Sequence, residues 1–163
     1  MKQELLIGIT ESGVMHTDAD PPIPLETKFQ MVKESGVYDY FDKTPPLELE
    51  DDYRRCSEKY ELPILAGGWF YVLGRDEDLL MENLRLGARL GSLVHNTQIM
   101  MDHQDGSLVS DEQVVEIYLR AYETGEACGC RPTFEVHVNM WSEDFRRIEK
   151  VADLVEKRGI PFR

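Results

Sequence analysis

The chain has 163 residues, 42% of them hydrophobic, enough for one domain with a packed core, so a disordered tail is excluded. Its formal net charge of -13 repels polyanions, which disfavours nucleic acid and anionic membrane surfaces as partners. The first apolar run, Leu5 to Ile9, is too short for a signal peptide, and no later run is long enough to span a bilayer. Three cysteines, an odd number, suit a reducing compartment, so the expected location is cytoplasmic. Cys128 and Cys130 are spaced more tightly than zinc or redox motifs, and with Cys56 they read as free thiols.

Leu5 to Thr10 reads as a buried strand closed by the turn Glu11-Ser12-Gly13. A polar loop containing His16, Asp18 and Asp20 leads to a helix from Leu25, with Leu25, Phe29 and Val32 on one face and Gly36 at its end. Val37 to Asp42 reads as a second strand, closed by Pro45-Pro46. The next helix buries Leu49, Tyr53, Cys56 and Tyr60 and stops at Pro63. Ile64 to Tyr71 is a third strand, in which Gly67-Gly68 leaves room for a bulge or for close approach of a ligand.

Asp76 to Leu90 is helical, with one stripe through Leu80, Leu84 and Gly87 competing with another through Leu79 and Leu86. A fourth strand, Ser92 to Met100, carries His95, Asn96, Thr97 and Gln98 into an acidic loop around His103, which reads as solvated. Ser110 and Gln113 form a capping box for a helix with the stripe Val114, Tyr118 and Ala121, ended by Gly125 and Gly129. Thr133 to Trp141 then alternates strictly. Phe134, Val136, Val138 and Met140 point one way, and Glu135, His137, Asn139 and Trp141 the other. A last helix capped by Ser142 buries Ile148, Val151, Ala152 and Val155, and Ile160 to Arg163 begins a sixth strand.

Strand then helix, five times, at a spacing of roughly thirty residues, means parallel strands joined by crossovers. A doubly wound sheet would carry a glycine-rich phosphate loop after its first strand, and Thr10-Glu11-Ser12-Gly13-Val14-Met15 is not one. The remaining architecture is a (β/α)8 barrel, which needs about 250 residues. The expected fold is therefore α/β, a barrel of which this single domain, residues 1-163, supplies the first five units, either truncated or naturally split.

The five units, the sequence Phe134-Glu135-Val136-His137 and the fourth-strand segment Leu93-Val94-His95 resemble the xylose-isomerase-like barrel superfamily. That superfamily groups sugar isomerases and epimerases with type IV apurinic endonucleases. The resemblance implies that Glu135 binds a divalent metal (manganese, magnesium, cobalt or zinc) and that His95 faces the site. It also implies that the metal site is incomplete here, because the other ligands come from later strands. Removing a proton beside a carbonyl needs a base and a group that holds the enolate oxygen. Glu135 suits the first task, and His137, two residues on, suits a hydrogen bond to metal shell or sugar hydroxyls.

Asp42, at a strand end, is read either as a substrate-contacting acid or as a loop carboxylate. Trp69 and Tyr71 either wall a sugar or pack in the core. Asn139 shares the face of Glu135 and joins His95, Trp69 and Asp42 among the expected substrate contacts. The expectation is a metal-dependent isomerase or epimerase of a sugar-like compound. The alternatives are a lyase or dehydratase on the same fold, or a half-barrel that needs a partner chain or pairs with itself. An abasic-site nuclease ranks below these, because its substrate would meet a strongly negative surface.

Overall fold

The computed structural model describes residues 5–14 and 22–163, so His16, Asp18 and Asp20 lie outside the described residues. Its strands are β1 (Gly8–Thr10), β2 (Tyr40–Asp42), β3 (Ile64–Tyr71), β4 (Val94–Ile99) and β5 (Arg131–Phe134). Its helices are α1 (Leu25–Ser35), α2 (Glu50–Tyr60), α3 (Glu77–Leu90), α4 (Asp111–Cys128) and α5 (Phe145–Glu156). The strands form one sheet in the order 1-2-3-4-5, and every neighbouring pair is parallel. A doubly wound sheet reverses its strand order at a switch point, whereas a barrel lays each strand beside the last. The sheet is therefore part of an α/β barrel.

Local chemistry explains most boundaries. Gly36, Gly91 and Gly129 end α1, α3 and α4 in the left-handed region, which a residue without Cβ enters freely. Ser110 accepts from the Gln113 amide while the Gln113 side chain accepts from the Ser110 amide, so both halves of the expected capping box are present. Glu61 at φ 48° closes α2 two residues ahead of Pro63. Two apolar clusters fill the layer between sheet and helices. One joins Phe29, Val32, Phe41, Tyr53, Cys56 and Ile64; the other joins Tyr71, Leu80, Leu84, Ile99, Val114, Tyr118, Trp141 and Val151. The α3 stripe through Leu80, Leu84 and Gly87 wins, with Leu86 buried beside it and Leu79 exposed.

The long strand expected over Thr133 to Trp141 is not formed. β5 stops at Phe134, and only Glu135 makes one more ladder bond, from its amide to the Thr97 carbonyl at 3.0 Å. The Ser142 hydroxyl then captures the chain. It donates to the Glu135 carbonyl at 2.6 Å and accepts from the His137 amide at 3.2 Å. Asn139 adopts φ 61°, a conformation Asn tolerates in turns, and bends the backbone away. Val136 and Val138, expected on a covered apolar face, are 65% and 64% exposed. With Ser142 occupied in this turn, α5 is capped by Asp144, whose carboxylate accepts from the Arg146 amide.

Two further expectations change. Residues 160–163 form no regular strand, yet the Phe134 amide donates to the Arg163 carbonyl at 3.0 Å, so this segment lies beside β5. Tyr118 fixes it there, donating to the Pro161 carbonyl and accepting from the Arg163 amide. The register shift between β2 and β3 falls at Leu65, ahead of Gly67 and Gly68, and protein atoms stand where a Cβ of either glycine would lie. A Cβ on Gly67 would overlap Thr44 Oγ1, and one on Gly68 would lie 2.8 Å from the Asn96 carbonyl oxygen.

Candidate active site

Register decides which side chains meet. Paired residues of parallel strands point the same way, and each strand alternates. Gly67, Trp69 and Tyr71 pair with His95, Thr97 and Ile99, and Tyr71 and Ile99 belong to the core beneath the helices. The opposite, inner face therefore carries Gly68, Phe70, Asn96, Gln98 and Thr133, and two residues beyond Thr133, Glu135. Asp42 joins them through its pairing with Ala66.

Contacts agree with this parity. Asn96 Nδ2 donates to Glu135 Oε2 at 2.5 Å, and Gln98 Nε2 donates to the same oxygen. Two amides thus hold one carboxylate oxygen, while Oε1 forms no hydrogen bond among the described residues. Burial raises the Asp42 carboxyl above its ordinary value, and the negative charge of Glu135 adds to that rise, against a smaller opposing pull from Lys43. His137, past the strand, stands edge-on to Phe70 with ring centres 6.2 Å apart. Its Nδ1–H donates to the Val138 carbonyl at 2.8 Å, which leaves Nε2 available.

The structure does not bring His95, Trp69, Tyr71 or Asn139 to this face. His95 is buried among the helix-facing side chains, its Nδ1 3.1 Å from Thr44 Oγ1 and its Nε2 2.7 Å from the Tyr71 hydroxyl. Asn83 Nδ2 donates to that hydroxyl at 2.8 Å, so the hydroxyl hydrogen goes to His95 Nε2 and Nδ1–H goes to Thr44. Burial pushes the imidazole down to about 4, so it is neutral at physiological pH. Trp69, 46% exposed, walls a cavity of about 290 Å³ outside the sheet, together with Thr44, Pro46, Leu79, Asn83 and Leu86. Asn139 is exposed, and its amide donates to Glu143 at 2.5 Å in the turn before α5.

Asn96 and Gln98 are the site residues that sequence reasoning missed. A signal existed: His95 shares its parity with Thr97 and apolar Ile99, which marks that set as helix-facing and leaves Asn96 and Gln98 for the other side. His103 lies in a loop, as its surroundings imply, 3.1 Å from the Asp105 carboxylate that Ser107 also holds.

The sequence matches no protein-family model and no curated protein. Solved structures do match. The IOLI protein with a binding zinc atom superposes with TM-score 0.64 at 14% identity, over 97% of this chain and 62% of that one. An AP endonuclease of family 2 from Brucella melitensis gives 0.66 at 11%, over 90% and 65%. A sugar phosphate isomerase/epimerase from Parabacteroides distasonis gives 0.53 at 11%, over 78% and 50%. The likeness is one of fold, that of an α/β barrel. This chain spans under two thirds of the length of each of these three proteins.

One of these neighbours carries zinc, which raises the question of a metal here. Glu135 and Asp42 are the carboxylates on the inner face, and among the described residues no group of three or more His, Cys, Asp or Glu side chains is placed to hold a metal ion. A zinc site takes three or four protein ligands. The described residues do not by themselves fit a metal centre. No helix of the described residues is long and apolar enough to cross a membrane.

Proposed function

We propose that this chain carries part of the active site of a sugar isomerase or epimerase, in which Glu135 moves a proton at the carbon beside a carbonyl. The observation that carries the reading is the Glu135 carboxylate, held through Oε2 by Asn96 and Gln98 with Oε1 left uncommitted on the inner face. A base must be fixed yet keep one oxygen free to accept the proton. Asp42 supplies the complementary property. Its raised carboxyl holds a proton more readily than an ordinary aspartate, as an acid partner requires. The His137 ring stands edge-on to Phe70, with its Nε2 left to bond a substrate hydroxyl.

The comparison with a sugar phosphate isomerase/epimerase supports this reading at the level of fold. The likeness to an AP endonuclease is of the same kind, and a net charge of -13 argues against a polyanionic substrate. A second reading, a half-barrel working with another chain, is favoured by one observation: β1 pairs only with β2 among the described residues, so a sheet edge is open.

The test is exchange of the α-hydrogen of ketoses and aldoses in D2O, followed by proton NMR. Glu135→Gln lowers the exchange rate by about 10²- to 10⁴-fold with circular dichroism unchanged. Equal rates in wild type and variant remove Glu135 from the chemistry.

A further inference from the structure

We propose that Gln98 is the residue that selects the ligand, its Oε1 accepting a hydrogen bond from a hydroxyl of a neutral polyhydroxylated molecule while its Nε2 holds Glu135. The proposal rests on the reading of the inner face as the active site. It begins with an unpaired atom. Gln98 Oε1 is buried and has no hydrogen-bond partner among the described residues. A buried carbonyl without a partner is destabilising, and such atoms are rare in folded proteins.

The amide cannot relieve this by turning over. Glu135 is a carboxylate that accepts only, so the NH2 end must face it, and Oε1 is left on the other side. Asn96 Nδ2 donates to the same Glu135 oxygen, and neither of its N–H groups bonds to Gln98 Oε1. The missing partner must therefore come from outside these side chains, and it must be a donor.

The surroundings narrow its chemistry. Phe70, paired in register with Gln98 and 45% exposed, offers a flat apolar wall. Glu135 Oε1 is a second acceptor on the same face. A wall for C–H groups beside a pair of acceptors suits a sugar or polyol, whose hydroxyls donate and whose carbon faces are apolar. The same acceptors repel a phosphate or carboxylate placed next to Gln98. The group that docks there is a hydroxyl, not an anion.

Side-chain amide and carboxyl NMR of the full chain, titrated with D-fructose and separately with D-fructose 6-phosphate, tests this. D-Fructose shifts the Gln98 NH2 and Glu135 carboxyl resonances. Gln98→Met, of similar length but without the amide, weakens binding roughly five-fold with an unchanged fold. Asn96→Ala, which removes a Glu135 contact but no orphaned acceptor, weakens it less. Equal losses in the two variants show that Gln98 acts only by holding Glu135 and overturn the proposal. Fructose-induced shifts at Glu135 that spare Gln98 also overturn it and leave the site reading standing. Shifts at neither residue overturn both. Tighter binding of the phosphate at Gln98 contradicts the hydroxyl assignment.

Discussion

Asp42 at the end of β2 and Glu135 one residue past β5 share the inner face of the sheet, and the charge of Glu135 adds to burial in holding the Asp42 carboxyl above its ordinary value of 3.8. A raised acid is stabilised protonated, so its ionised form costs folding free energy. That cost is absent below the unfolded value, grows as pH rises through the folded value and is complete above it. Asp42→Asn therefore unfolds at higher urea than wild type at pH 7, and the difference closes as pH falls below about 4. In Glu135→Gln the Asp42 titration, followed by carboxyl carbon NMR, moves down part of the way, because burial remains. An unmoved Asp42 titration means the two carboxylates do not sense each other.

His95 gives the opposite slope with pH. Its folded value of about 4 lies below the ordinary 6.5, so the unfolded chain takes up a proton that the folded chain refuses. Stability is complete above pH 6.5 and is lost as pH falls toward 4, by on the order of 3 kcal/mol from this residue. Urea unfolding of wild type declines over that interval. In His95→Gln the decline flattens, although the variant is weaker at pH 7 because the Thr44 and Tyr71 hydroxyls lose their partner. A wild-type curve that is level between pH 6.5 and 4 places His95 in contact with solvent.

Local signals in the chain were legible and long-range ones were not. Phe29 and Val32, Tyr53 and Cys56, and the Ser110–Gln113 box all depend on residues within a turn or two, and each sits as its spacing implies. The end of β5 depends on Ser142, seven residues away, whose hydroxyl takes the bonds that a longer ladder needs. Once the strand stops at Phe134, alternation no longer assigns Asn139 a face. His95 was placed by its position near the end of a strand, but its orientation is set by register with β3, where it pairs with Gly67. Glu135 reached the inner face because its amide still bonds to Thr97.

Gly67 is required by Thr44. A Cβ at residue 67 would overlap Thr44 Oγ1 and lie 3.1 Å from the Lys43 carbonyl carbon, so backbone as well as side chain stands in its way. Gly67→Ala lowers stability by about 1–3 kcal/mol in urea unfolding. Combining it with Thr44→Ala removes the nearest obstacle, the hydroxyl, so the double variant loses less than the sum of the single losses. Strict additivity separates the two sites and removes Thr44 as the reason for the glycine.

Glu11 ties the first two units together. It follows β1, and its carboxylate meets Lys28 of α1 at 2.6 Å, Lys43 after β2 at 2.9 Å and the Tyr53 hydroxyl of α2 at 2.9 Å. Burial alone would raise this carboxyl, but the hydrogen bonds from Lys28, Lys43 and Tyr53 outweigh it and hold it down at about 2 against an ordinary 4.5. A depressed acid contributes stability that is present above its unfolded value and is lost as pH falls through its folded value. Glu11→Gln removes the charge that both lysines face, and urea unfolding at pH 7 registers a loss of about 1–3 kcal/mol. The gap between wild type and variant narrows as pH is lowered from 4.5 toward 2. A gap of constant size across that range assigns the loss to packing, and the ion cluster then has no part in joining β1 to α1 and α2.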